Sequence, residues 1–193
     1  KTEFSIPMWG ELNVRNALAV VTVAKHCGLS DGQIQNAFDT FEGIKRRMEV
    51  RGEVEGVIIV DDFAHHPTAI EETLKALKMK YPERRLWAIF EPRSNTTRRA
   101  VFQEELGKAF NNADRVVISA VAKLEQIPRL ERLDPLKLMD ALQTSGVNGV
   151  YLSDVQAIVE HLKTHAQKGD VICVLSNGGF GGVHEELLAA FKV

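Results

Sequence analysis

Val57-Ile58-Ile59-Val60 is an unbroken β-branched run that ends in Asp61-Asp62, and it constrains the fold more than any other feature of the chain. A strand with one wet face alternates apolar and polar residues, whereas a strand covered on both faces has no polar side to show. Short apolar runs of the same kind recur at 86–90, 115–119, 149–152 and 170–175. Helix-length segments separate them. Pro67, well tolerated in a first turn, opens one to about residue 80. Others are expected at 97–110, 135–144 and 154–166, with a last helix reaching Phe191 and an irregular stretch at 121–133. Alternation of this kind predicts an α/β fold, a mostly parallel, Rossmann-like sheet with helices on both faces and right-handed crossovers. Residues 49–62 add a strand pair that turns near Gly52 or Gly56.

The first 47 residues differ. Residues 13–27 read as a helix that is apolar all round, which predicts burial, with Gly28 as its stop. A second helix starts at Ser30 or Asp31, runs through Ile34, Ala37 and Phe38, and ends at Gly43. No strand accompanies them. Two units are therefore expected: 1–47, a helical tail of a preceding domain, and 48–193, the α/β domain.

Lys and Arg number 24 against 26 Asp and Glu, so no bulk basic field exists to draw nucleic acid. No apolar run approaches bilayer length, which predicts no membrane span. Cys27 and Cys173 lie in apolar runs without metal-ligand spacing and read as buried, reduced thiols of a cytoplasmic protein. The start lacks both a signal-peptide layout and an initiator Met, so a fragment is expected. The sequence carries no prediction of oligomeric state.

Ligands in open α/β sheets sit beyond the carboxyl ends of the strands. Three loops occupy that position. The first, 61–67, reads Asp-Asp-Phe-Ala-His-His-Pro. It admits a metal site, a carboxylate that holds ribose hydroxyls, or a simple helix cap at the histidines. The second, 91–99, holds Arg93, Arg98 and Arg99 with Ser94, Asn95, Thr96 and Thr97. Arginine forks match carboxylate or phosphate, so the cluster reads as an anion site, although Ser94 or Thr96 would also cap the next helix. The third, 176–182, is Ser-Asn-Gly-Gly-Phe-Gly-Gly. It either cradles an anion on backbone amides or uses its glycines for a tight turn. It does not follow the dinucleotide pattern, which argues against an oxidoreductase. Asn13 and Asn16 share a helix face, although Asn13 also suits a cap, and Arg46 and Arg47 sit at the junction of the two units.

ELNVRNALA, FEGIKRRME, GVIIVDDFAHHPTAI, EPRSNTTRR and SNGGFGG occur in an order that resembles the Mur ligases over almost the whole chain. Within that family the loops resemble the branch that takes the tripeptide L-Ala-γ-D-Glu-meso-diaminopimelate. The branch that takes L-alanine has a different second loop. The resemblance implies an ATP-dependent ligase that joins this murein tripeptide to UDP-N-acetylmuramate in peptidoglycan recycling. It implies ATP and Mg2+ as cofactors, held mainly by a central domain. No GxxxxGK[ST] occurs in these 193 residues. The chain alone is therefore expected to be inactive and to carry no metal ligand or catalytic residue.

Carried over by motif, Asn13 and Asn16 imply adenine contacts, with Leu12 standing where the family has His. Arg47 implies a contact near ribose and phosphates, with Arg46 the alternative, and Asp62 implies a ribose contact. Arg93, Ser94, Asn95, Thr96 and Arg98 imply contacts to the incoming substrate. Ser176, Asn177 and Gly178 imply contacts to its far end. A non-catalytic nucleotide-binding module and an L-alanine ligase are the rival readings.

Overall fold

A computed structural model describes residues 2–192. Six strands form one sheet in the order β1-β2-β6-β3-β4-β5. β1 (Glu49–Val54) and β2 (Val57–Asp62) pair antiparallel, with a register shift between Val50 and Gly52. All other neighbours pair in parallel: β2 with β6 (Val171–Leu175), β6 with β3 (Leu86–Phe90), β3 with β4 (Arg115–Ser119), and β4 with β5 (Asn148–Leu152).

Every residue of β2, β3 and β6 is buried, as continuous apolar runs require. Ile58, Val60, Leu86, Ala88 and Phe90 face one side. There they meet α3 (Pro67–Lys80), α4 (Gln103–Ala109) and α5 (Pro135–Thr144) through residues such as Leu74, Leu106 and Leu138. Val57, Ile59, Trp87 and Ile89 face the other side, against Ile158 and Leu162 of α6 (Val155–His165) and Leu187 of α7 (Val183–Ala190). After β2 and β3 the chain turns to the first face, but after β6 it turns to the second. The connections diverge on both sides of β6, which opens a crevice at the carboxyl ends of these strands.

Two expectations need correction. The helix placed at 97–110 begins only at Gln103, after a 3-10 turn at Ala100–Phe102. Before it, Arg98 and Arg99 close backbone turns on Ser94 and Thr96, and Arg99 pairs with Arg132 as an isolated β-bridge. Pairing with the irregular 121–133 segment overrides local helix propensity there.

The second correction concerns the helix expected to be buried. In α1 (Glu11–His26) only Ala17 is buried, while Leu18 is 66% and Val23 62% exposed. α2 (Asp31–Asp39) carries a Ser30/Gln33 capping box and ends before the glycine that was to stop it. Ala17, Ile34 and Phe38 form a small cluster of their own, apart from the sheet. One short helix cannot cover an all-apolar cylinder, so most of α1 stays open. For the same reason Cys27 is exposed, while Cys173 is buried in β6 as expected. No helix among the described residues is long and apolar enough to cross a membrane.

Leu74 is fully buried between α3 and the sheet, and Leu130 is 97% exposed. Leu74→Ala should cost about 2–5 kcal/mol in urea unfolding, and Leu130→Ala less than about 0.5 kcal/mol. Equal losses would contradict this packing.

Candidate functional site

Because β6 lies between β2 and β3, the three loops meet. The backbone joins them first: Ser176 N donates to Asp62 O (3.1 Å), and Glu91 N donates to Leu175 O (3.1 Å). Side chains add to this. Ser176 Oγ donates to Glu91 Oε2 (2.5 Å) and accepts from Gly178 N (2.9 Å). Ser176 is fully buried, so its hydroxyl is occupied within the protein.

Arg93 lies across Gly178. A Cβ on Gly178 would stand 2.5–2.6 Å from Cδ, Nε and Cζ of Arg93. The absent side chain therefore lets the arginine stem rest on the loop backbone. Gly181 and Gly182, by contrast, supply positive φ (57° and 77°) for the turn into α7. The tight-turn reading of the glycine loop holds at Gly181 and Gly182, whereas the Gly178 amide already donates to Ser176 Oγ. Arg93 keeps its head near solvent, 3.7 Å from Glu91 Oε1.

Ser94 Oγ accepts from Thr97 N (3.1 Å) and lies within 3.0 Å of the Thr96 and Thr97 hydroxyls. It caps a turn rather than a helix. Arg98 Nη2 donates to Asn95 Oδ1 (2.6 Å), and Nη1 is 3.5 Å from Ala122 O. Two buried polar atoms here lack partners among the described residues, Arg98 Nε and Asn177 Oδ1. Buried groups of this kind are uncommon and mark places where a ligand or water completes the set.

Asp62 closes the other side. Its Oδ2 accepts from Met48 N (2.7 Å), and its Oδ1 from Ala64 N (2.8 Å) and Thr73 Oγ1 (3.4 Å). Burial pushes its carboxyl above the ordinary value, and these donors with nearby Arg47 partly offset the shift. Asp61 is equally buried, with Arg46 Nε 3.2 Å from one oxygen and His184 Nε2 3.3 Å from the other. The histidine contact lacks hydrogen-bond alignment. Burial, the largest influence, holds His184 below the ordinary imidazole value; Asp61 and Glu185 oppose it, while Arg51 and Arg46 act with it. That direction disfavours the protonated ring, and with it an ion pair to Asp61.

Arg47 is exposed, and its guanidinium makes no hydrogen bond or ion pair among the described residues, so it is available to an anion. Asn13 Nδ2 donates to Trp9 O (2.7 Å), so Asn13 does not cap α1. Asn16 is exposed. α1 touches the sheet domain through Gly10 against Ala76 and Glu11 near Lys75 (3.6 Å). No hydrogen bond joins the asparagine pair to the other candidate residues among those described. The metal reading of 61–67 has little geometric support. His66 caps α3 at Thr68 N, His65 Nδ1 lies 3.0 Å from Phe63 O, and no cluster of three or more metal-ligating side chains occurs among the described residues.

Arg46, Asp61, Glu91, Thr97 and His184 also shape the site. Arg46 carried a signal as the neighbour of Arg47, and Asp61, Glu91 and Thr97 stood inside loops already singled out. His184, in an ordinary helical stretch, carried none.

A doubly wound α/β domain with polar loops gathered where its connections diverge belongs to the class that binds ligands at strand ends. The pattern described as Mur ligase, glutamate ligase domain matches residues 46–178, and the chain belongs to the Mur ligase family. It is 37% identical over 180 residues to the UDP-N-acetylmuramate–L-alanyl-γ-D-glutamyl-meso-2,6-diaminoheptandioate ligase of Escherichia coli K12, covering 93% of this chain and 37% of that one. It is 38% identical over 191 residues to the UDP-N-acetylmuramate–L-alanine ligase of Geobacter sulfurreducens, covering 98% of this chain and 41% of that one. The crystal structure of a murein peptide ligase from Psychrobacter arcticus 273-4 superposes with a TM-score of 0.74 at 40% identity, covering 97% of this chain and 38% of that one. The chain thus spans about two fifths of the length of these relatives.

Two outcomes follow from the geometry. Gly178→Ala should leave stability within about 1 kcal/mol, because an exposed arginine stem yields more easily than backbone, yet it should displace Arg93. Urea unfolding and a crystal structure of the variant would show both. For His184, the lowered folded value means that, as pH falls, the unfolded chain takes up a proton that the folded chain refuses. Stability should therefore decline as pH drops from about 7 toward about 5, and His184→Gln should flatten that decline. An unaltered slope in the variant would remove His184 from the account.

Proposed function

We propose that this chain is the acceptor-binding part of an ATP-dependent ligase that joins L-Ala-γ-D-Glu-meso-diaminopimelate to UDP-N-acetylmuramate in peptidoglycan recycling. The observation that carries the reading is the Arg93–Gly178–Asn177 arrangement. A forked cation rests on one residue, and the residue beside it holds a buried amide oxygen without a partner. The first suits carboxylate and the second suits ammonium; an amino-acid or peptide acceptor carries both, and the several carboxylates of the tripeptide make most use of an arginine-rich loop. Similarity to a relative named for this tripeptide, and to one named a murein peptide ligase, supports the same choice.

When bound, ATP with Mg2+ would supply phosphoryl transfer to the lactyl carboxylate of UDP-N-acetylmuramate; the peptide amine would then attack the activated carbonyl carbon and phosphate would leave. In this reading those groups are held mainly outside these residues. The fit to the nucleotide is partial. Arg47 is free to meet a phosphate. Asp62 is only 2% exposed and already accepts three bonds, so it acts chiefly by holding Met48, with about one lone-pair direction left for a ribose hydroxyl. Asn13 and Asn16 complete the adenine side of the proposal. The work of Arg93, Ser94, Asn95, Thr96, Arg98, Ser176, Asn177 and Gly178 is to place the peptide, and positioning supplies a large part of such a rate.

The L-alanine reading draws on the comparable identity to a ligase of that name. Phosphate release by the full-length enzyme with ATP, Mg2+, UDP-N-acetylmuramate and either acceptor separates the two. Turnover with the tripeptide is expected, and preference for L-alanine would overturn the substrate assignment. Arg93→Ala should raise the acceptor KM by roughly ten- to a hundredfold, the weight of a charged hydrogen bond, with the ATP and UDP-sugar KM little changed. Arg47→Ala should raise the ATP KM instead. It is a cleaner probe than Asp62→Ala, which would also leave the amides of Met48 and Ala64 without their acceptor.

A further inference from the structure

Arg46 lies near the end of the linker between α2 and β1, with φ at 59°, and Met48, two residues on, has φ at 49°. Few non-glycine residues adopt this region without a structural reason. Here the reason is visible in the contacts. The backbone N of Arg46 donates to Glu49 Oε2 (2.7 Å), and its carbonyl accepts from Phe63 N (2.8 Å). Its guanidinium reaches in two directions: Nε lies 3.2 Å from Asp61 Oδ2, while Nη2 donates to Ser176 O (2.6 Å) and Gly178 O (2.8 Å). The Phe63 ring flanks it at 5.1 Å. One side chain thus ties the end of β2 to the loop after β6. Of two adjacent arginines, Arg46 faces inward and Arg47 faces out.

We propose that Arg46 is a positioning residue that couples the nucleotide-facing turn at 46–48 to the acceptor loop at 176–178. This rests on the ligase reading above. The turn has Arg47 at its centre and is held from below by Asp62 at Met48 N. The loop carries Gly178, on which Arg93 lies. A phosphate drawn to Arg47 steadies the turn, the planar fork carries that constraint to the Ser176 and Gly178 carbonyls, and Arg93 is steadied with them. The geometry needs a fork. A lysine ammonium preserves the charge near Asp61 but cannot hold Asp61 and two carbonyls from fixed, coplanar donors.

The test uses the full-length enzyme and reads hydrogen exchange at 176–182 with and without MgATP, together with the KM values. In the wild type, MgATP should slow exchange across this loop. Arg46→Lys should exchange faster there by roughly tenfold, lose the MgATP-dependent protection, and raise the acceptor KM by roughly tenfold while the ATP KM stays within about threefold. Absence of protection in the wild type, or wild-type exchange and acceptor KM in Arg46→Lys, overturns the coupling. An ATP KM raised as much as the acceptor KM also overturns it, making Arg46 a nucleotide ligand instead. If Arg46→Lys does not fold, Asp61→Asn, which keeps the shape but weakens the anchor, is held to the same outcomes. Arg46-dependent protection by MgATP without turnover on either acceptor would sink the ligase reading and leave the coupling standing.

Discussion

Strand β6 pairs in parallel with β2 on one edge and β3 on the other, and the site depends on that insertion. Its residues are wholly buried, so the register on both edges is set by packing on two faces at once. The last strand in the chain thus lies between the first two parallel ones. The Asp61-Asp62 end, the Glu91–Arg93 turn and the Ser176–Gly178 loop become neighbours, although more than eighty residues separate the second from the third. The bonds Ser176–Glu91 and Ser176–Asp62 tie the strand ends together.

Around this strand the polar groups divide by burial. Asp61, Asp62 and Ser176 are shut in and satisfied by the protein, so they shape the site from beneath. Arg47 and the head of Arg93 remain accessible. A buried carboxylate is expensive unless donors surround it, and Asp62 has two backbone amides and a hydroxyl. Asp62 therefore holds backbone, Asp61 holds the Arg46 guanidinium, and Arg47 and the head of Arg93 are left open to solvent. The same division explains why two adjacent arginines at 46 and 47 take different parts.

The pattern of the α/β domain was legible because burial on both faces leaves a plain mark, an unbroken apolar run, in β2, β3 and β6. Pro67 and the cap at His66 marked α3 equally well. The loops were legible by place, since ligands gather at carboxyl ends. The resemblance of the motifs to the Mur ligases is matched by the family assignment over residues 46–178. Residues 97–102 and α1 were misread for one reason: each was judged by local propensity, and each is decided by what lies beside it. The bridge from Arg99 to Arg132 delays α4, and a lack of covering surface leaves α1 open.

By itself, the sequence determined the order of strands and helices, the buried faces of the central strands, and the polar loops that end them. These depend on periodicity and on residue type, which are local properties. Tertiary structure alone decided that Arg93 lies on Gly178, that Arg46 turns inward while Arg47 does not, and that His184 reaches Asp61. Those facts depend on where β6 enters the sheet and on backbone angles in a linker. Contacts between residues far apart in the chain leave no period to read.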